Sequence, residues 1–307
     1  MKKIIFAAVL LICLINTKLA AGNGTSSALF LRMPTSAAIA GMGGAYTSFT
    51  DDINSIYANA GGLGFVKNRQ FIFMHNNYIQ DFNYNYLAYC QPVKMLDGVV
   101  GAHISYFDAG DLDRTLIATG VTYTNAGSFD ARDMEAGLSY GKKITDKLNG
   151  GLTLKYISSK IDNVKASAVA SDFGVIYDCD EWFEQSIKLG FTVKNIGTKL
   201  KYDSDKESLP VEYKFGMSSA FPVNDALKIT PAFDVVYSRN EDCNFNVGSE
   251  FNFVDSFFVR FGFDSAIDAG NGISCGFGFK LQNLSLDYAF TNYDKLGDGH
   301  RISLTIK

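Results

Sequence analysis

From about residue 69 onward, apolar and polar residues alternate with period two, in segments of roughly ten residues separated by Gly, Asn, Asp and Lys. In the stretch 283–291, Leu284, Leu286, Tyr288 and Phe290 share one face and Ser285, Asp287 and Ala289 the other. A helix would scatter these residues around its circumference, so the stretch reads as a strand. The arithmetic repeats for Phe257, Val259, Phe261 and Phe263 against Arg260, Gly262 and Asp264, and for Ile273, Cys275, Phe277 and Phe279 against Ser274, Gly276 and Gly278. Extended over the chain it predicts about 14 strands, near 69–78, 82–91, 98–107, 133–142, 148–160, 166–178, 187–195, 209–221, 226–238, 244–253, 256–265, 272–281, 284–291 and 300–306, with a further weak strand near 115–124.

These lengths match the roughly 9 to 11 residues with which a tilted strand crosses a bilayer. Several connections are as short as Val254-Asp255 or Gln282-Asn283, as hairpins at the periplasmic end of a barrel require. A secreted β-sandwich would alternate too, but its dry core could not hold the Gly, Ser, Asp, Lys and Arg that fill the second face here. In a barrel those residues meet the lumen while the aromatics meet lipid. The expected fold is therefore all-β: a transmembrane antiparallel barrel of about 14 strands over 69–307, preceded by a short N-terminal helical hatch.

That N-terminal region, 22–68, has a different texture. Ala28-Leu29-Phe30-Leu31 and Pro34 lead into a run of small residues, Ala37 to Ala45, that contains Gly41, Gly43 and Gly44. Asp51 or Asp52 is placed to cap a short helix, and Asn59-Ala60-Gly61-Gly62 to stop it. The stretch is too short to build its own core and its small residues permit close backbone approach, so it must pack on another surface. The lumen is the concave surface available, which makes the segment a candidate plug; a periplasmic turn beside the barrel is the alternative.

Composition adds the cellular setting. Residues 1–21 combine Lys2 and Lys3, an apolar run from Ile4 to Ile15, and the small residues Ala20 and Ala21, the arrangement of a secretory signal cut after Ala21. Removing Lys2, Lys3 and Lys18 from the 28 Lys and Arg leaves 25 against 32 Asp and Glu, about 7 net negative charges, so nucleic acid is not an expected partner. Aromatic residues make up 14% of the chain, with only 5 Pro, which favours strands. Beyond the signal, Cys90, Cys179, Cys243 and Cys275 show no C-x-x-C spacing; Cys179 and Cys243 flank strand ends and could pair, but spacing alone does not fix their separation.

No metal or cofactor is expected. His75, His103 and His300 are the only histidines, which leaves little for nucleophilic catalysis, and an enzyme is not predicted. His103 falls in the lumen-facing phase. Lys155, Asp172, Lys194, Arg260, Asp264 and Asp287 share that phase, and are expected either to form a charge lattice that sets ion preference or simply to neutralise one another. Trp182-Phe183 is a candidate exposed apolar loop patch or an anchor in the interfacial aromatic belt.

Ala40-Gly41-Met42-Gly43-Gly44-Ala45-Tyr46, followed by Asp51-Asp52, Ile56-Tyr57 and Asn59-Ala60-Gly61-Gly62-Leu63, resembles the N-terminal signature of the PorV/PorQ family of FadL-like outer-membrane barrels. Gly137-Leu138-Ser139-Tyr140, Asn195-Ile196-Gly197 and the tail Leu286-Asp287-Tyr288-Ala289-Phe290 extend the resemblance over nearly the whole chain beyond the signal. The family's usual Asn-Pro-Ala-Gly is here Asn59-Ala60-Gly61-Gly62, without the rigid proline. The resemblance implies a 14-stranded barrel with a hatch inside it. It further implies a carrier or channel for hydrophobic compounds such as long-chain fatty acids, with a docking or shuttle component of type IX protein secretion as the alternative. The expected partners are thus outer-membrane lipid and either a hydrophobic small molecule or secretion-system proteins. A carrier would place an apolar pocket against Phe30, Leu31 and Ile39.

Overall fold

The computed structural model describes residues 26–77, 82–117, 123–179, 186–203, 205–239, 242–267, 270–294 and 297–307. The strands are β1 (Gln70–Asn77), β2 (Asn83–Val93), β3 (Gly98–Ile117), β4 (Tyr123–Lys143), β5 (Leu148–Ile161), β6 (Val164–Asp178), β7 (Ser186–Gly197), β8 (Leu200–Tyr202), β9 (Asp205–Glu207), β10 (Glu212–Asn224), β11 (Leu227–Ser238), β12 (Cys243–Phe253), β13 (Phe257–Asp264), β14 (Ile273–Leu281), β15 (Leu284–Asn292) and β16 (Asp298–Ile306). Fourteen of them form one closed antiparallel ring in which consecutive strands are neighbours, β7 passing directly to β10; β8 and β9 form a separate small hairpin. The ring closes by pairing its first strand with its last, from Phe71 opposite Ile306 to Asn77 opposite His300. Closure leaves no strand edge to be satisfied in lipid, where an unpaired backbone group has no water to bond.

Every one of the 14 expected strands has a counterpart in the ring. The expected weak strand at 115–124 is not a separate element: 115–117 belong to the end of β3 and 123–124 to the start of β4, with 118–122 outside the described residues. Alternation is hard to see there because β3 and β4 run well past the length a bilayer needs, and beyond Phe107 both faces carry polar residues such as Asp108, Asp111 and Asp113. Register shifts at Asp108/Asp111 and Asp113/Thr115 break the period further. The β8–β9 hairpin has three-residue strands, too short to give a periodic signal.

Side-chain placement follows the alternation. Phe257, Phe261, Phe277, Phe279 and Leu286 stand exposed on the outer wall, while Arg260, Ser274 and Asp287 are buried inside. A wall of exposed aromatics this extensive is the face a barrel presents to hydrocarbon.

The two ends of the barrel differ. At one end most strands are joined by short segments, 94–97, 144–147, 225–226, 254–256 and 282–283, with 179–185 longer; at the other most connections are longer, such as 198–211, 265–272 and 293–297, with 162–163 the short exception. The short-turn end corresponds to the periplasmic side of outer-membrane barrels. Both chain ends of the ring lie there, where the Lys307 amide donates to the Asn283 carbonyl at 2.8 Å. Cys179 follows β6 at this end, whereas exposed Cys243 opens β12 at the other. The height of the wall separates them, far beyond disulfide reach. Intact cells exposed to a membrane-impermeant maleimide should therefore be labelled at Cys243, and Cys243→Ser should abolish the label; an unmodified barrel that takes no label on intact cells but is labelled once the outer membrane is opened would reverse the orientation.

Candidate functional site: the hatch and the lumen it occupies

Residues 28–66 are threaded through the barrel as four short turns: the 3-10 turn Leu29–Arg32, the helix Ala37–Gly41, the helix Ser55–Ala58 and the 3-10 turn Ala60–Phe65. Ser36 starts the first helix, its side chain accepting the Ile39 amide at 3.2 Å. The second helix begins later than the acidic pair suggests. Its N-cap position is Asn54, because 51–54 form an additional turn in which Asp52 accepts the Asn54 amide at 3.0 Å and the Tyr46 hydroxyl at 2.7 Å. Asp52 thus ties two parts of the hatch together, and Asp51, at φ 73, turns the chain. Asn59 ends the helix and links hatch to wall: its Oδ1 accepts the Gly61 amide at 3.0 Å, and its Nδ2 donates to the carbonyls of Thr47 at 2.9 Å and Val175 at 3.0 Å.

The small residues of the hatch meet small residues of the wall. A Cβ on Gly262 would lie 2.0 Å from the Gly43 amide nitrogen, and one on Gly43 only 2.4 Å from the Phe263 amide nitrogen; Gly43 also sits at φ 61, a backbone region that strains other residues. Gly41 lies against Gly276, Gly61 against Gly174, and Gly62 inside the hatch against Ser55. The wall glycines form a belt through the register. Gly141, Gly151 and Gly174 are directly opposite one another on β4, β5 and β6, and so are Gly190 with Gly216 and Gly248 with Gly262. Polar bonds lock the contact: Asp234 accepts the amides of Tyr46 and Thr47, each at 3.0 Å, the Ala37 amide donates to Ser303 Oγ at 2.6 Å, and Asn246 Nδ2 donates to the Gly43 carbonyl next to Gly44.

Charged lumen residues fall into two groups. In the first, Lys155 Nζ is 2.8 Å from Asp172 and 3.7 Å from Glu135, which also meets His103 at 3.2 Å. Lys194 belongs here, but its Nζ stands 3.4 Å from the centre of the Tyr57 ring, a cation–π contact between wall and hatch; Arg32 of the hatch reaches Glu212 at 3.5 Å. In the second, Arg260 bridges Glu250 at 2.8 Å and Asp287 at 2.6 Å. Asp264 joins neither: it sits at the far end of β13, where its Oδ1 accepts the Ala266 amide at 2.9 Å. Glu135, Glu212, Glu250 and Asp234 complete the arrangement without having been singled out, although their inward phase on alternating strands was the available signal.

Two cavities flank the hatch. One of about 640 Å³ at the far end is lined by Leu29, Met33, Pro34, Asp264, Tyr293 and Arg301. The other, about 330 Å³ at the short-turn end, is lined by Tyr46, Asp51, Asp52, Glu250, Arg260 and Lys307. Hatch residues 38–46 supply walls to both. Phe30, Leu31 and Ile39 are buried in packing contacts, so the far cavity is bounded by their neighbours and is mixed in character. Trp182-Phe183 lies outside the described residues. The letters G-x-S-x-G occur at Gly272-Ile273-Ser274-Cys275-Gly276, but Ser274 is buried in the regular strand β14, whereas a nucleophile elbow needs a strand-to-helix turn.

No curated protein matches the chain. Among solved structures, the toluene transporter TbuX of Ralstonia pickettii is similar over 88% of this chain and 96% of its own, at 14% identity and a TM-score of 0.57. The toluene transporter TodX of Pseudomonas putida covers the same shares at 10% identity and a TM-score of 0.60. A Pseudomonas aeruginosa FadL homologue aligns over 88% of this chain and 97% of its own, at 12% identity and a TM-score of 0.50. At such identities the likeness is one of fold. Residues 104–305 match the family described as type IX secretion system membrane protein PorP/SprF, and none of these proteins is described as an enzyme. The chain is thus an outer-membrane β-barrel and belongs to the PorP/SprF family of type IX secretion system membrane proteins.

Proposed function

We propose that this barrel is a docking or shuttle component of type IX secretion, akin to the PorV/PorQ proteins its N-terminal signature resembles, and that it binds a protein client while its lumen stays shut. The observation that carries the reading is the fit of hatch to wall: glycine faces glycine around the ring, and hatch residues stand between the two cavities. A surface built for such close backbone contact favours a stationary hatch over a mobile gate. In this reading residues 1–21 direct export, 22–68 form the hatch and 69–307 the barrel. Gly41, Gly43, Gly44, Gly61 and Gly62 give the hatch its close fit, Asp51, Asp52 and Asn59 shape it, and Lys194 meets it through the Tyr57 ring, while Lys155, Asp172, Arg260 and Asp287 neutralise one another and their acidic neighbours on the surrounding wall. Outer-membrane lipid surrounds the wall.

The test is native mass spectrometry on protein extracted from its own outer membrane in mild detergent. A stoichiometric protein partner is the expected result. A bound mass of a few hundred daltons and no protein would instead support the second reading, a carrier for hydrophobic compounds, which the apolar part of the far cavity around Leu29, Met33 and Pro34 favours. Deleting residues 28–64 is expected to raise ion conductance in a planar bilayer; unchanged conductance would sink the plug.

A further inference from the structure

The ladder between β10 and β11 has a gap of two pairs within an unchanged register. Their register passes from Ser218 opposite Ala232 directly to Phe221 opposite Ile229, skipping Ser219 and Ala220 against Thr230 and Pro231. The sequence supplies the cause: Pro231 sits inside β11 and has no N–H to give to a ladder. On its other side Pro231 keeps its place opposite Ser249 of β12, so strand order survives and the defect is confined to one seam.

Both faces of that seam are hollow. Outside, it floors an apolar groove of about 810 Å³ lined by Met217, Phe221, Pro231, Phe233, Val247 and Phe261. The groove exists because Ser219, Pro231 and Ser249 are small where neighbouring outward positions carry large side chains. The Ser219 hydroxyl is buried there without a hydrogen-bond partner. Inside, Ser218, Ser219 and Ala220 line the short-turn cavity. Water in that cavity can reach backbone groups the ladder leaves unpaired, which hydrocarbon could not satisfy.

We propose that the outer groove is a seat for one acyl chain of a phospholipid from the periplasmic leaflet. The occupant follows from position: exposed Phe221, Phe233, Val247 and Phe261 face the bilayer, and the seam lies towards the short-turn end, a few residues from the β10–β11 turn at 225–226. A straight, flexible hydrocarbon chain fits a groove between rows of rings, and its presence keeps the wet inner face of the seam apart from bulk lipid.

The test uses the whole protein reconstituted in nanodiscs of phosphatidylethanolamine and phosphatidylglycerol, then released into mild detergent for native mass spectrometry. The unmodified barrel is expected to retain one phospholipid. Ser219→Phe fills the groove and should lower that retention about tenfold or more. Val175→Phe, at an exposed outward position on β6, should leave it unchanged. Should Ser219→Phe not give a folded barrel by heat-modifiable gel mobility, Ser249→Leu fills the same groove with a smaller group. Equal retention in the unmodified and groove-filled barrels, or a protein dimer with no lipid in the unmodified one, would overturn the proposal.

Discussion

Gly262→Val is expected to dislodge the hatch or prevent the barrel from forming. The new Cβ would meet the Gly43 amide nitrogen at 2.0 Å and the Met42 carbonyl carbon at 2.3 Å. Both are backbone atoms, which cannot swing aside like the end of a side chain, and Asn246 holds the same turn through the Gly43 carbonyl. The cost should reach or exceed the upper end of the overpacking range, about 3 kcal/mol. Planar-bilayer recordings should show raised conductance wherever heat-modifiable mobility reports a folded barrel. Gly101→Ala is the control: its Cβ meets the flexible end of Ile56 at 2.9 Å, so conductance should stay at the unmodified level. If Gly262→Val left both stability and conductance unchanged, the hatch would not occupy the lumen as described.

Arg260→Met should cost about 3 kcal/mol, the lower end of what removal of one partner from a buried ionic group costs, since the carboxylates it strands also line a cavity that can admit water. Arg260, Glu250 and Asp287 are all little exposed, and Arg260 bonds both acids. Glu250→Gln and Asp287→Asn added to Arg260→Met should recover much of the loss, because the penalty comes from stranded charge more than from the missing arginine. Arg132→Ala offers the contrast. That guanidinium, whose side chain is 49% exposed, lies 3.5 and 3.6 Å from Asp130 and Asp108 beyond the membrane band, and its removal should cost at most about 1 kcal/mol. Equilibrium unfolding in urea after refolding into detergent measures all three; equal losses for Arg260→Met and Arg132→Ala would mean the lumen group is fully solvated.

The barrel could be read from the chain because a two-sided wall imposes a strict period: Leu284, Leu286, Tyr288 and Phe290 face lipid, and the residues between face the lumen. Where that two-sidedness ends, so does the signal. Above Phe107 water lies on both faces, and β3 and β4 continue with no contrast to mark them. The lumen phase disclosed which charges point inward, such as Lys155 and Arg260, yet not which meet, since partners on neighbouring strands depend on register. Lys194 shows the difficulty: its inward phase is plain, but its partner is a ring on the hatch, Tyr57, brought there by tertiary packing. Asp264 has the right phase and the wrong height. The late start of the second hatch helix was hidden because Asp52 bonds two amino acids ahead and across to Tyr46, an arrangement that capping rules alone do not anticipate.

The pairing of β1 with β16 bears on biogenesis. The hatch immediately precedes β1, and its wall partners are spread from Gln70 on β1 to Ser303 on β16. Those contacts are complete only once the last strand has been delivered, when Phe71 can at last meet Ile306. Ring closure therefore completes the seating of the hatch: a chain truncated before its final strand would lack both the ladder from Phe71 to Ile306 and the Ser303 hydroxyl that receives the Ala37 amide.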